Sequence, residues 1–141
     1  MIIFDIDHFK KVNDTYGHMT GDEVIRQTSE ALRQSIRETD VPGRYGGDEF
    51  VLILINTKPK DAFILAERLR KKIEALTVTF EGKAIKYTVS LGIAEATPAM
   101  QDHKEWLQCA DQALYTSKES GRNKTSTHKP AAAKKTVVRK A

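Results

Sequence analysis

Residues 44–50, RYGGDEF, place two acidic residues after a glycine pair and before the most apolar run of the chain. Gly46 and Gly47 predict a tight hairpin, because glycine adopts positive φ angles without strain. Asp48 and Glu49 would then be either solvated residues at the start of a strand or carboxylates that bind a cation. A second acidic site beside this one would favour the cation.

Asp5 is a candidate for that second site, because it interrupts the apolar run of residues 1–6, MIIFDI, which predicts a central strand. A lone carboxylate is costly to bury, so Asp5 should have a cation or a hydrogen-bond donor as its partner. If this strand lies beside the hairpin, Asp5 and Asp48 meet at one edge of the sheet. Carboxylates from two strand ends, with no His or Cys cluster nearby, are typical of Mg²⁺ sites that bind nucleotide phosphates.

The elements that must position these residues follow from turn signals and from hydrophobic periodicity. Asp7 is expected to cap a short helix that ends near Gly17. A longer helix should begin at residues 20–23 and end at residues 40–43. The remaining expected elements are a hairpin through Gly46 and Gly47, a helix over 59–76, a second hairpin over 78–94 and a helix over 106–118. This order predicts an α+β fold, a mixed α/β sandwich whose central, mostly antiparallel sheet is flanked by helices.

Charge divides the chain into a domain and a basic segment. Residues 118–141 contain eight Lys or Arg and one acid, whereas the other 117 residues contain 15 basic and 18 acidic residues, so the net charge of +4 comes from the C-terminal end. We expect residues 126–141 to be a disordered basic tail. The acidic balance of the main body argues against a specific nucleic-acid partner.

The sequence also predicts a cytoplasmic protein without a membrane segment. The longest apolar run, residues 50–55, is far shorter than a membrane span, and no leader with a cleavage site is evident. Cys109 is the only cysteine, which excludes an intramolecular disulfide and suits a reducing compartment.

Several ordered motifs resemble the GGDEF-domain diguanylate cyclases. Residues 5–18 (DIDHFKKVNDTYGH), 21–23 (GDE) and RYGGDEF carry the resemblance, which continues through 90–94 (SLGIA), 110–115 (ADQALY) and 118–123 (KESGRN). The resemblance implies that residues 1–125 are a GGDEF domain with a sheet like the palm of nucleotide polymerases and nucleotide cyclases. Family members usually have a helix before the first strand and an input or sensory domain before that. Since Met1 opens directly on the first strand, we expect this chain to lack both and to be truncated relative to the family.

The same resemblance implies the activity. Two GTP molecules would be condensed into cyclic di-GMP with release of pyrophosphate, in a reaction that needs Mg²⁺, or Mn²⁺ in its place, and a homodimer in which each domain holds one GTP. The implied metal ligands are Asp5, the carbonyl of Ile6, Asp48 and Glu49. Glu49 would alternatively help to deprotonate the attacking 3′-hydroxyl, and the implied catalytic group is Asp48, Glu49 and Lys10.

The implied substrate contacts are Asn13 and Asp22 for guanine, Gly46 and Gly47 against the ligand, and Lys118 and Arg122 for the β- and γ-phosphates. A carboxylate can accept both N1–H and the exocyclic amine of guanine, whereas adenine presents an acceptor at N1, so Asp22 favours GTP over ATP. Without the surrounding motifs, these acids and bases would be read as residues that stabilise helix dipoles.

Arg37 and Asp40 match the RxxD inhibitory site of the family, where cyclic di-GMP binds and blocks turnover, and Arg68 is a candidate for a secondary contact. Such inhibition would be a coupling between separate sites. A non-catalytic module that senses cyclic di-GMP or GTP through Arg37 and Asp40 is the alternative function. The complete set of acidic and guanine-reading positions favours the enzyme.

Overall fold

The computed structural model describes residues 1–130, which form the expected α+β fold. The elements are β1 (Ile2–Ile6), α1 (Phe9–Tyr16), α2 (His18–Ser35), β2 (Val41–Arg44), β3 (Glu49–Ile53), α3 (Pro59–Ala75), β4 (Val78–Phe80), β5 (Lys83–Ile85), β6 (Val89–Ile93), α4 (His103–Glu119) and β7 (Thr125–Thr127). The helices at 59–75 and 103–119 and the hairpin β2–β3 confirm the predicted elements to within a few residues. In residues 1–130, no helix combines the length and the apolar character needed to cross a bilayer.

The central sheet has the order β2-β3-β1-β6-β7, which places β1 in its middle. β1 pairs antiparallel with both β3 and β6, and all five of its residues are buried, as its apolar composition predicts. Among the strands that the structure describes, β7 alone runs parallel to its neighbour. The sheet is therefore mostly antiparallel, and both ends of β1 lie between strands that can supply further site residues.

The two faces of β1 contact different helices, because successive side chains of a strand point in opposite directions. Ile2, Phe4 and Ile6 belong to the core cluster that includes α2 and α3. The Phe4 ring stacks on Phe50 of β3, with centroids 4.9 Å apart. Ile3 packs with the residues of α4 on the other face. Asp5 shares the parity of Ile3, so its side chain points towards α4.

The second hairpin, expected over residues 78–94, is present but ends at residue 85. β4 and β5 form their own two-stranded sheet around a turn at Glu81 and Gly82, whose φ angles are 50° and 77°. β6 instead joins the central sheet between β1 and β7. All five residues of β6 are buried, as in a strand that is covered on both faces of its sheet.

The first two residues of the tail expected over residues 126–141 belong to the sheet instead. Ser126 and Thr127 belong to β7 and pair with Gly92 and Ile93 of β6, and the amide of His128 donates to the carbonyl of Ile93 at 2.7 Å. The backbone groups along β6 offer this edge pairing to any extended segment, which composition alone does not reveal. Residues 131–141 of the expected tail lie outside the described residues.

Candidate active site

Asp5 is buried at the end of β1, and its carboxylate forms an ion pair with Lys118 in the last turn of α4. The prediction that Asp5 needs a cationic or donor partner is therefore confirmed. Burial raises the pKa of Asp5, the hydrogen bond and charge of Lys118 oppose that shift, and repulsion from Asp48 and Asp7 adds to it. Asp5 Oδ2 contacts Lys118, whereas the buried Oδ1 atom has no partner among residues 1–130.

The glycine corner brings Asp48 and Glu49 beside Asp5. In the β1–β3 pairing, Asp5 lies opposite Glu49, and the amide of Ile6 donates to the carbonyl of Asp48 at 3.2 Å. Both acids are partly exposed, as a ligand-binding position requires. A cleft of about 560 Å³ opens between β3 and α4 next to Glu49 and Lys118.

The hairpin that carries these acids is held by its own backbone groups. The Arg44 guanidinium donates to the carbonyls of Gly46 at 3.2 Å and of Gly47 at 2.7 Å. A Cβ atom at Gly46 would lie 2.7 Å from Glu49 Oε1, so a side chain there would displace the Glu49 carboxylate from its present position. Gly47 faces open space. The Glu49 carboxylate therefore lies directly against the glycine corner.

The donor set at this edge fits a hard divalent cation that is also bound by phosphate. Asp5 Oδ1 is buried and unpartnered, and the carboxylates come from two adjacent strands. Across residues 1–130, no three His, Cys, Asp or Glu side chains form a complete metal cage. Mg²⁺ does not require one, because it commonly binds one or two carboxylates together with water and substrate phosphates.

Asp7 is not the helix cap that its position predicts. Its buried carboxylate accepts hydrogen bonds from Thr88 Oγ1 at 2.7 Å, from Ser90 Oγ at 2.6 Å and from the amide of Asn123 at 3.1 Å. The residue before α1 is His8, in the left-handed conformation with φ 57° and without a side-chain cap. Asp7 therefore joins β1, β6 and the segment after α4. Sequence reasoning missed this role because the donors lie far along the chain.

The two expected guanine contacts lie on α1 and α2, which pack against each other. Asn13 Oδ1 is buried and has no partner in the described part of the chain. Gly21 makes room for this amide, since a Cβ atom at Gly21 would overlap Asn13 Oδ1. Asp22, the next residue, is exposed. An amide oxygen and a carboxylate are therefore available at this helix pair.

The two expected phosphate contacts and Lys10 of the implied catalytic group are not brought together to the same degree. Lys118 pairs with Asp5, while Arg122 follows α4 in an exposed position with φ 63°. Lys10 is highly exposed on α1 and pairs with Asp14 at 3.6 Å. The structure thus joins Lys118 to the acidic site and leaves Lys10 on the solvent side of its helix.

Arg37 and Asp40 lie just after α2 and pair with each other, while Arg68 of α3 reaches the last residue of α2. Arg37 donates to Asp40 through its amide at 2.9 Å and through its guanidinium at 3.0 Å, and also to Thr57 Oγ1 at 2.9 Å. Arg68 of α3 donates to the carbonyl of Ser35 at 2.7 Å. Burial by itself would raise the pKa of Asp40, but the hydrogen bonds from Arg37 outweigh it and hold that pKa below its usual value.

Comparison with known proteins identifies the same kind of domain over nearly the whole described chain. A family model described as "Diguanylate cyclase, GGDEF domain" matches residues 1–124. Diguanylate cyclase A of Treponema denticola is 39% identical over 129 residues, which are 92% of this chain and 35% of that protein. The probable diguanylate cyclase DgcC of Escherichia coli K12 is 40% identical over 125 residues, 89% of this chain and 33% of that protein. The chain thus spans about a third of the length of these relatives.

Solved structures share the fold. The GGDEF domain of DgcB from Caulobacter crescentus, in complex with c-di-GMP, superposes with a TM-score of 0.86 at 33% identity, covering 90% of this chain and 75% of that one. The active GGEEF domain of a diguanylate cyclase from Vibrio cholerae gives a TM-score of 0.84 at 32% identity and covers 92% of this chain and 82% of that one. The β1–β3 corner, formed by Asp5, Asp48 and Glu49, therefore lies in a fold that is shared with a domain solved in complex with c-di-GMP.

Proposed function

The chain belongs to the GGDEF-domain diguanylate cyclase family, and we propose that it condenses two GTP molecules into cyclic di-GMP and two pyrophosphates. The observation that carries this proposal is the β1–β3 corner, where buried Asp5 lies opposite Glu49 and beside Lys118. A buried acid with an unpartnered oxygen, next to two further acids and a cation, is suited to a polyphosphate and its counterion.

The acidic residues would hold a divalent cation, Mg²⁺ or alternatively Mn²⁺, through Asp5, Asp48, Glu49 and the carbonyl of Ile6. When bound, that ion neutralises phosphate charge and assists the departure of pyrophosphate. Glu49, which is partly exposed at the mouth of the corner, accepts the proton of the attacking 3′-hydroxyl. Each attack forms one phosphodiester bond at an α-phosphorus and releases one pyrophosphate, and two attacks close the ring.

Recognition of guanine is assigned to α1 and α2. The buried Asn13 amide and the exposed Asp22 carboxylate supply acceptors and a donor that match the edge of guanine. Adenine has no N1–H to donate to the Asp22 carboxylate, so GTP is preferred to ATP. Gly46 and Gly47 leave room for the ligand to approach the backbone, and Lys118, Arg122 and Lys10 supply positive charge for its phosphates.

The reaction requires two copies of the domain. Each copy holds one GTP, and the two must face each other so that each 3′-hydroxyl reaches the other α-phosphate. Catalysis therefore depends on a homodimer, and the rate for each protomer should rise with protein concentration until the dimer is saturated. Because GTP is a cytoplasmic substrate, the reaction takes place in the cytoplasm.

Product inhibition is assigned to Arg37 and Asp40, with Arg68 nearby. The Arg37 side chain is 57% exposed although it pairs with Asp40, so its outer edge is open to a guanine or a phosphate. Arg68 of α3 lies nearby, because it donates to the carbonyl of Ser35, the last residue of α2. Occupation of this surface would reduce turnover through coupling to the distant acidic corner.

The same surface favours a second candidate, a non-catalytic sensor of cyclic di-GMP. The hydrogen bonds of Arg37 and Arg68 go to Asp40, Thr57 and Ser35, and none of them involves Asp5, Asp48 or Glu49. A sensor would bind cyclic di-GMP without turning over GTP.

Incubation with GTP and Mg²⁺, followed by chromatography, separates the two candidates. We expect cyclic di-GMP from the chain, with a higher rate when it is fused to a dimeric coiled coil. Glu49→Gln should lower the rate at least about 100-fold, whereas Asp61→Asn, at an exposed acid in the first turn of α3, should leave it unchanged. The sensor would be the better assignment if two results were found together. The fused protein would form no cyclic di-GMP from GTP, and the chain would bind cyclic di-GMP in a way that Arg37→Ala abolishes.

A further inference from the structure

The segment after α4 adopts a strained backbone at two consecutive residues. Arg122 and Asn123 have φ angles of 63° and 50°, in the left-handed region. Non-glycine residues there cost on the order of 1–2 kcal/mol and persist only where the surroundings determine the conformation. Arg122 is a proposed phosphate contact, so whatever holds this segment also sets the position of its guanidinium.

The Asn123 side chain connects this segment to α3. Its Oδ1 accepts from Arg70 Nη1 at 2.9 Å, and its Nδ2 donates to Glu74 Oε2 at 2.6 Å. Both polar ends of the amide are therefore used by one face of one helix. No other side chain type of this size carries a donor and an acceptor in that arrangement.

The Asn123 backbone connects the same segment to the strands of the site. Its amide donates to Asp7 Oδ2 at 3.1 Å and to Ser90 Oγ at 3.2 Å. Asp7 is buried and lies two residues after Asp5, the proposed metal ligand. One residue therefore contacts α3, β6 and the end of β1.

The partners of Asn123 are themselves held in place. Arg70 is bidentate to Glu67, with distances of 2.7 and 2.9 Å, and its side chain is only 13% exposed. Glu67 also accepts from Thr125 of β7 at 2.8 Å. Supporting shells of this kind lock the orientation of the residue that they surround.

We propose that Asn123 is a positioning residue that holds Arg122, and with it the end of α4, in register with β1 for binding the GTP phosphates. This role rests on the proposed function, since it presupposes that Arg122 contacts phosphate. Asn123 itself does not need to touch the nucleotide. The conformation of residues 120–124, and not a new contact, is what it contributes.

A double-mutant cycle tests the positioning role. Asn123→Gly keeps the left-handed backbone accessible but removes both side-chain bonds. We expect it to weaken binding of a non-hydrolysable GTP analogue about tenfold, and to weaken it less than twofold when Arg122→Ala is already present. Equal losses in both backgrounds, or no loss in the wild-type background, would overturn the proposal.

Hydrogen exchange in the ligand-free protein provides a second readout. Asn123→Gly and Arg70→Lys should both speed exchange of the amides of Arg122 and Lys124. The matched control is Asn56→Gly, because Asn56 also has φ 50° but lies in the loop between β3 and α3. Unchanged exchange at residues 122–124 would refute the positioning role by itself. A wild-type protein that fails to bind the GTP analogue would instead refute the proposed function.

Discussion

Lys118 on α4 forms an ion pair with Asp5 at the end of β1, so the proposed phosphate contact and the proposed metal ligand neutralise each other. The two residues are 113 positions apart in sequence and meet because the Asp5 side chain points to the helix side of the sheet. The Lys118 side chain is 33% exposed, so it can turn from the carboxylate towards a ligand. The ion pair offsets part of the cost of burying the Asp5 carboxylate, and the site stays accessible to a ligand.

Asp5→Asn should abolish activity without lowering stability. Burial raises the pKa of Asp5, which means that the ionised carboxylate is disfavoured in the folded state despite Lys118. We expect a rate at least about 100-fold lower and, in EDTA, a melting temperature equal to or above that of the wild type. Asp14→Asn, at an exposed ion pair, serves as the control. A clear fall in melting temperature would show that the Asp5–Lys118 pair stabilises the fold.

Gly92→Ala should destabilise the protein strongly. A Cβ atom at Gly92 would overlap the backbone of α4 at Ala110 and Leu114, so the helix that carries Lys118 would have to move away from β6. We expect a loss of about 1–3 kcal/mol in the free energy of unfolding, measured in urea. Gly47→Ala, which faces open space, should change it by less than about 0.5 kcal/mol. Comparable effects at both glycines would contradict the close helix–strand contact.

Asp40 should make stability depend on pH in the acidic range. Its pKa is lowered in the folded state, because the Arg37 hydrogen bonds outweigh the effect of burial. The contribution of ionised Asp40 is therefore present above the ordinary carboxyl pKa of about 3.9 and is lost as the pH falls through the lower folded value. The free energy of unfolding, measured in urea, should be about 1–3 kcal/mol higher for the wild type than for Asp40→Asn at pH 7. This difference should shrink as the pH is lowered to about 3. A difference that grows towards low pH would reverse the sign of the coupling.

Asp22→Asn should relax the preference for guanine. The amide keeps one acceptor but adds a donor that opposes N1–H of guanine and can pair with N1 of adenine. We expect the ratio of kcat/KM for GTP over ATP to fall about 100-fold. Asp61→Asn, in the first turn of α3, should leave the ratio unchanged. An unaltered ratio in Asp22→Asn would remove this residue from the guanine contact.

Local sequence patterns predicted most of the helices and strands, because the formation of these elements depends largely on residues that are close in sequence. The apolar run of β1, the glycine corner before Asp48 and the periodicity of α3 all report contacts within a few residues. The same locality explains the errors. Asp7 has the residue type and the position of a helix cap, yet its carboxylate accepts hydrogen bonds from Ser90 and Asn123, which lie far along the chain.

The order of motifs in the sequence indicated the family, the order of predicted elements indicated the fold class, and the apolar run around Asp5 indicated that it needs a cation or a donor as its partner. The tertiary structure alone decided that this partner is Lys118, that Ser126 and Thr127 belong to the sheet, and that Asn123 links α3 to β1. The physical reason is that a buried charge needs a partner of opposite charge or a hydrogen-bond donor, and an open strand edge needs another strand, but many groups in a chain can fill either role. Which group does so depends on packing that brings distant residues within hydrogen-bond distance.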